Sequence, residues 1–108
     1  MVWHGGPNQR WWVEYLGSDQ YRLVNENSNR AADVLDGSTI PGTSVHQWGW
    51  WAEPMQKWLL NGNGDGTYAI ENVNSGLVLD VASPGDGADV IQSTPDGAAS
   101  QHWSFELL

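Results

Sequence analysis

The 108-residue chain has no cysteine. That excludes disulfides, thiolate metal sites and a cysteine nucleophile together, while leaving the cellular compartment open. Basic residues are scarce, 4 against 13 acidic, for a formal net charge of -9. Phosphodiester backbones and anionic membrane surfaces would both be repelled, which argues against nucleic acid or membrane partners. No apolar run is long enough to span a bilayer, and none resembles a signal peptide. No window of helical length carries apolar residues at helical spacing. An Asn-x-Ser/Thr sequon is missing too. Catalytic signatures are equally thin. The Ser and Thr near acids or histidines, such as Ser38, Thr39, Thr43, Ser44 and Ser100, lack a nucleophile-elbow context. A phosphate-cradling glycine loop is absent. Thirteen carboxylates could supply a glycosidase pair, but no two of them are singled out by their setting.

What the chain does have is tryptophan, 8 residues against a single phenylalanine. So many indoles cannot all be core, because a buried N–H needs a partner. Some must be exposed, and exposed aromatic faces usually bind something. The remaining apolar segments are short, β-branched or aromatic, and bounded by Gly, Asn, Asp, Ser and Pro. This pattern predicts an all-β domain with strands over residues 11–15, 20–25, 32–35, 45–48, 58–60, 68–71, 78–81 and 90–92. Further strand pieces are expected over 103–107 and 2–4. The length fits one domain with one core, residues 1–108.

The chain is also internally repeated. Gln9-Arg10-Trp11, Gln56-Lys57-Trp58 and Gln101-His102-Trp103 share the form Gln-x-Trp at separations of 47 and 45 residues. Residues 21–28 (YRLVNENS) overlay 68–75 (YAIENVNS), and Ala32-Asp33-Val34 overlays Leu79-Asp80-Val81, both at an offset of 47. Residues 12–58 and 59–103 form two complete units. Residues 1–11 and 104–108 correspond to the two ends of a third. One unit cannot bury its apolar face alone, whereas stacked units can.

These Gln-x-Trp repeats, each with an Asn-x-x-Ser turn and a Leu-Asp-Val-like strand, resemble the ricin-B-type β-trefoil lectins, and among them the family 13 carbohydrate-binding modules. The resemblance implies an all-β, β-trefoil-like fold with the repeat tryptophans in the core. It implies a non-catalytic module that binds glycans or polysaccharides, of galactose or xylose type, without cofactor or metal. It also implies a secreted or extracellular part of a larger protein. In the first unit the carried-over sugar residues are Asp33, His46, Trp48 and Gln56; in the second they are Asp80 and Gln101. A carboxylate suits polyol hydroxyls and an indole suits the C–H face of a sugar ring. His46 and Met55 stand where the family often has Gln and Asn, while Trp50 and Trp51 could widen the stacking surface. The second unit has Ile91 and Ser93 in place of His46 and Trp48, so its pocket is expected to be weak or dead. In the incomplete unit only Asn8 and Gln9 match.

Alternative readings follow the same residues. Asp33 and Asp80 could simply cap turns. His4, His46 and His102 lack metal-ligand spacing. Asn61-Gly62-Asn63-Gly64-Asp65-Gly66 echoes a calcium loop, yet Asn72 occupies its twelfth position, and a hairpin turn explains it better. The rival functions are a lectin remnant with decayed pockets, used for structure or assembly, and a small glycoside hydrolase. With the middle of the third unit absent, the expectation is either a self-capped irregular trefoil or a homo-oligomer that completes it.

Overall fold

The computed structural model describes residues 11–82 and 89–104. They form eight antiparallel strands: β1 (Trp11–Gly17), β2 (Gln20–Asn25), β3 (Ala31–Val34), β4 (Val45–Trp48), β5 (Trp58–Gly62), β6 (Tyr68–Asn72), β7 (Val78–Val81) and β8 (Val90–Ser93). Their order in one continuous sheet is β4-β3-β2-β5-β6-β7-β8, with β1 paired to the other part of β2. The eight strands expected within the two complete units are therefore all present, to within two residues at each end. Of the segment 103–107, Trp103 pairs with Tyr68 as an isolated bridge. Residues 105–107 and the expected piece 2–4 lie outside the described residues.

Each unit builds the same four strands from the same local chemistry. Asn25 Oδ1 accepts the Asn27 and Ser28 N–H groups at 3.0 and 3.1 Å, which turns the chain after β2. Asn72 Oδ1 does this for Asn74 and Ser75 after β6. The short polar side chain replaces missing backbone partners at the turn, the usual role of Asx turns. The third strand of the first unit ends one residue earlier than the sequence suggests. Asp36 takes a left-handed φ of 55°, so Leu35–Gly37 forms a single 3-10 turn rather than more strand. Single 3-10 turns also lead into two of the Gln-x-Trp motifs, at Pro54–Gln56 and Ala99–Gln101.

The core holds the tryptophan of each Gln-x-Trp motif. Trp11, Trp58 and Trp103 are buried and cluster with Leu23, Val34, Ile70 and Leu79. Two of these indoles are tied to the third strand of their unit, β3 or β7. Trp58 Nε1–H donates to Ala32 O at 3.3 Å, and Trp103 Nε1–H to Leu79 O at 3.1 Å. Each buried N–H thus finds its acceptor beside the Asp of its own unit. Of the Asn61–Gly66 segment, Asn61 and Gly62 end β5 and the rest lies in the 63–67 hairpin turn to β6. Asp65 Oδ1 accepts from the Thr67 N–H and hydroxyl, which lowers its pKa.

Candidate functional site

In the first unit, β3 and β4 run in register with Asp33 directly opposite His46. The His46 Nε2 lies 2.9 Å from Asp33 Oδ1. A carboxylate only accepts, so Nε2 carries the proton of that bond. Two residues along β4, Trp48 falls on the same face as His46, as strand periodicity requires. Their rings lie 5.5 Å apart and nearly parallel, at 16°. Trp48 is 54% exposed, whereas Asp33 is only 5% exposed. The carboxylate therefore sits at the base of a cleft and the indole at its rim. The cleft measures about 390 Å³ and is completed by Trp51, Met55 and the Leu35–Gly37 turn. Asp33 Oδ2 receives no hydrogen bond from any described residue.

The floor is close-packed. Gly37 has φ +63°, and a Cβ there would stand 2.9 Å from the Met55 methyl. Glycine is favoured there by its left-handed φ, and a side chain would also displace the flexible Met55 methyl. The second unit supports this floor from outside. Asn74 Nδ2 donates to Gly37 O at 3.0 Å, and Asn72 Nδ2 donates to Met55 O at 3.1 Å.

The structure places Gln56 behind the cleft. It is fully buried, with Nε2 donating to Gly49 O at 2.8 Å and Oε1 accepting the Trp51 N–H at 2.9 Å. Both ends of its amide hold the loop that carries Trp51. Gln101 repeats this in the second unit, where Nε2 donates to Thr94 O and Oε1 accepts the Asp96 N–H, each at 3.0 Å. The two glutamines are loop fasteners, a role their spacing to Trp could not distinguish from a ligand contact.

Around Asp80 the arrangement differs. Gln101 Nε2 donates to Asp80 Oδ2 at 3.1 Å, and the Val81 N–H donates to Oδ1 at 2.7 Å. Burial pushes the Asp80 pKa up, but hydrogen bonds from Ser100, Gln101, Val81 and Ser93 outweigh it. They hold the carboxyl below its ordinary value of 3.8. Ser93 and Ser100 occupy the places of Trp48 and Met55. The second unit thus has the carboxylate without the aromatic wall, and its own donors surround that carboxylate.

Sequence reasoning named Asp33, His46 and Trp48, and the fold brings these three together. It had grouped Trp50 with Trp51, but only Trp51 lines the cleft. Leu35 and Gly37 were missed. The Asp36-Gly37 pair right after the Asp33 strand was the signal for a turn at that point.

The profile of the ricin-type β-trefoil lectin domain-like family matches residues 1–48 and 54–107. The chain belongs to that family. Solved structures agree with this ricin-type assignment. The designed three-fold symmetric protein ThreeFoil is 39% identical with a TM-score of 0.90, over 94% of this chain and 74% of its own. The exo-β-1,3-galactanase 1,3Gal43A from Clostridium thermocellum is 32% identical with a TM-score of 0.90, over 96% of this chain. Only 23% of the galactanase is covered, so the ricin-type chain corresponds to a minor part of that enzyme. The Polyporus squamosus lectin shares the fold at 21% identity, with a TM-score of 0.78 over 90% of this chain and 35% of the lectin. No curated protein matches the chain.

Proposed function

We propose that this ricin-type chain is a single, non-catalytic carbohydrate-binding domain that takes a galactose- or xylose-type sugar in the first-unit cleft. The observation that carries this reading is Asp33 at the cleft base, with one oxygen on His46 and the other open, below the exposed indoles of Trp48 and Trp51. A carboxylate oxygen accepts paired sugar hydroxyls, and an indole covers the apolar ring face while excluding water. The likeness to part of a galactanase favours galactose-type units first. The second-unit site does not bind in this reading, because Asp80 is already surrounded by donors and lacks an aromatic wall.

Calorimetry or affinity electrophoresis against galactosides, xylosides and their oligomers tests the reading. One sugar per chain is expected, with no turnover of aryl glycosides. Trp48→Ala and Asp33→Asn should each weaken binding by roughly tenfold or more, in keeping with the loss of an aromatic anchor or charged acceptor. Absence of binding across the panel would leave the scaffold role of a decayed lectin repeat. Turnover would instead indicate a hydrolase.

We further propose that assembly completes the third unit. An apolar cleft of about 350 Å³ lies between the first- and second-unit hairpins, lined by Trp11, Leu23, Val45 and Val90 among others. Val45 and Val90 are repeat equivalents, and a third unit would supply their counterpart. Sedimentation at several concentrations tests this; a strict monomer that melts cooperatively would end the idea. A module of this kind acts outside the cell as part of a larger protein, and its net charge of -9 keeps nucleic acid away.

A further inference from the structure

The loop that presents Trp51 is held at a second point, away from Gln56. Trp50 turns from the cleft and lies against the guanidinium of Arg22, with Cζ 5.1 Å from the ring centroid. Arg22 is itself fixed. It sits on β2 directly opposite Glu14 of β1, and its Nε–H donates to Glu14 Oε2 at 2.6 Å. Glu14, Arg22 and Trp50 therefore form a chain from the β1–β2 hairpin to the loop.

The second unit shows that the loop folds without this chain. Its equivalent segment, Thr94 to Gly97, is closed by Gln101 through the same two backbone hydrogen bonds. Asn61 and Ala69 stand opposite each other where the first unit has Glu14 and Arg22. Pro95 replaces Trp50, and Asp96 replaces Trp51. The left-handed residue recurs as well, Ala52 at φ 61° and Gly97 at φ 74°. The second loop makes its turn with the glutamine, the left-handed residue and an Asp96 Oδ1 that accepts the Ala98 N–H at 2.9 Å, without a cation–aromatic clamp. The cation–aromatic contact occurs in the unit whose loop must hold an exposed indole over a cleft.

We infer that Glu14, Arg22 and Trp50 are positioning residues that pre-set Trp51 for its ligand. The inference rests on the sugar-binding reading of the cleft. An indole 56% exposed and attached to a loop would otherwise be ordered only when ligand arrives, and that ordering would subtract from affinity. Fixing the neighbouring ring on Arg22 fixes the backbone between them. Arg suits this role because its planar cation stacks on an indole while its edge donates to a carboxylate.

Two readouts test it. In protein labelled with 5-fluorotryptophan, the Trp51 resonance is identified by its loss in Trp51→Phe. Arg22→Met should shift or broaden the Trp51 resonance while leaving those of Trp58 and Trp103 in place, and Trp50→Phe, which keeps an aromatic face, should stay close to the parent. An unchanged Trp51 resonance in Arg22→Met would overturn the proposal, as would equal disturbance of all three. The second readout is sugar affinity. Arg22→Met should raise Kd about threefold, in line with an exposed cation–aromatic contact. That loss should vanish in a Trp51→Ala background. An undiminished loss there would show that Arg22 acts elsewhere. If the parent binds no sugar, the sugar reading fails by itself, and the fluorine spectrum still decides whether Arg22 positions Trp51.

Discussion

The two complete units place an aspartate at one structural position and surround it in opposite ways. Asp33 meets a histidine, an exposed tryptophan and a methionine floor. Asp80 accepts from a glutamine amide and a backbone N–H, with Ser93 and Ser100 in the places of Trp48 and Met55. The scaffold beneath both is the same, down to the Asn turns, the Gln loop fasteners and the indole bonded to the backbone carbonyl before the aspartate. A carboxylate whose lone pairs are filled from within stabilises its own turn and has little left for a ligand. One that is half-filled can bind. Under the proposed sugar reading, stability and recognition would compete for the same oxygen atoms in this fold.

The largest test removes what the units share. Trp58→Ala should cost about 3–5 kcal/mol, the usual range for a fully buried aromatic, and leave the chain unfolded or without a cooperative thermal transition. A melt like the parent's would place Trp58 outside the core. Next comes the pair that separates the units. Asp80→Asn puts an NH₂ group among donors and should destabilise by about 1–3 kcal/mol in urea unfolding, without touching sugar affinity. Asp33→Asn should do the reverse, since His46 is the one side chain among the described residues that shares its carboxylate. Equal stability losses would collapse the distinction.

Acid titration sharpens it further. Asp80 has a folded pKa below its unfolded value, so its contribution is present above that unfolded value and is lost as pH falls through the folded one. Stability of the parent should decline below about pH 4. Asp80→Asn should lack that part of the slope in chemical unfolding at pH 2–5. The smallest effect concerns the left-handed loop residue. Ala52→Gly should relieve about 1 kcal/mol of backbone strain, and Gly97→Ala should impose a similar cost. A Cβ at Gly97 meets nothing within 4 Å, so the cost there would be conformational alone. Melting temperatures moving in the same direction for both would refute the equivalence of the two loops.

Much of this was legible in the chain. Alternation and turn residues located the eight strands, and the Gln-x-Trp spacing placed the core indoles. The Asp33–His46–Trp48 grouping was carried over from the family resemblance, and the strand register then placed Asp33 opposite His46. Two kinds of information were not. Whether an amide faces a ligand or the backbone is decided by burial, and for Gln56 and Gln101 the sequence left both readings open. Contacts between units, such as Asn74 with Gly37, join residues far apart in sequence and obey no local period. Trp50 and Trp51 are adjacent and identical in type, so only the fold could send one to Arg22 and the other to the cleft.

The bonds from Asn72 and Asn74 to Met55 and Gly37 carry a last consequence. Every side chain lining the cleft belongs to residues 12–58, which reads as a portable binding cassette. Its floor, however, hangs from amides that lie beyond that boundary. Cutting out the cassette would keep the whole list of cleft-lining groups and lose the surface they stand on. The repeat makes the chain look divisible, yet the floor of the first unit's cleft depends on the second. Transplanting this cleft to another protein therefore means moving the unit that follows it as well.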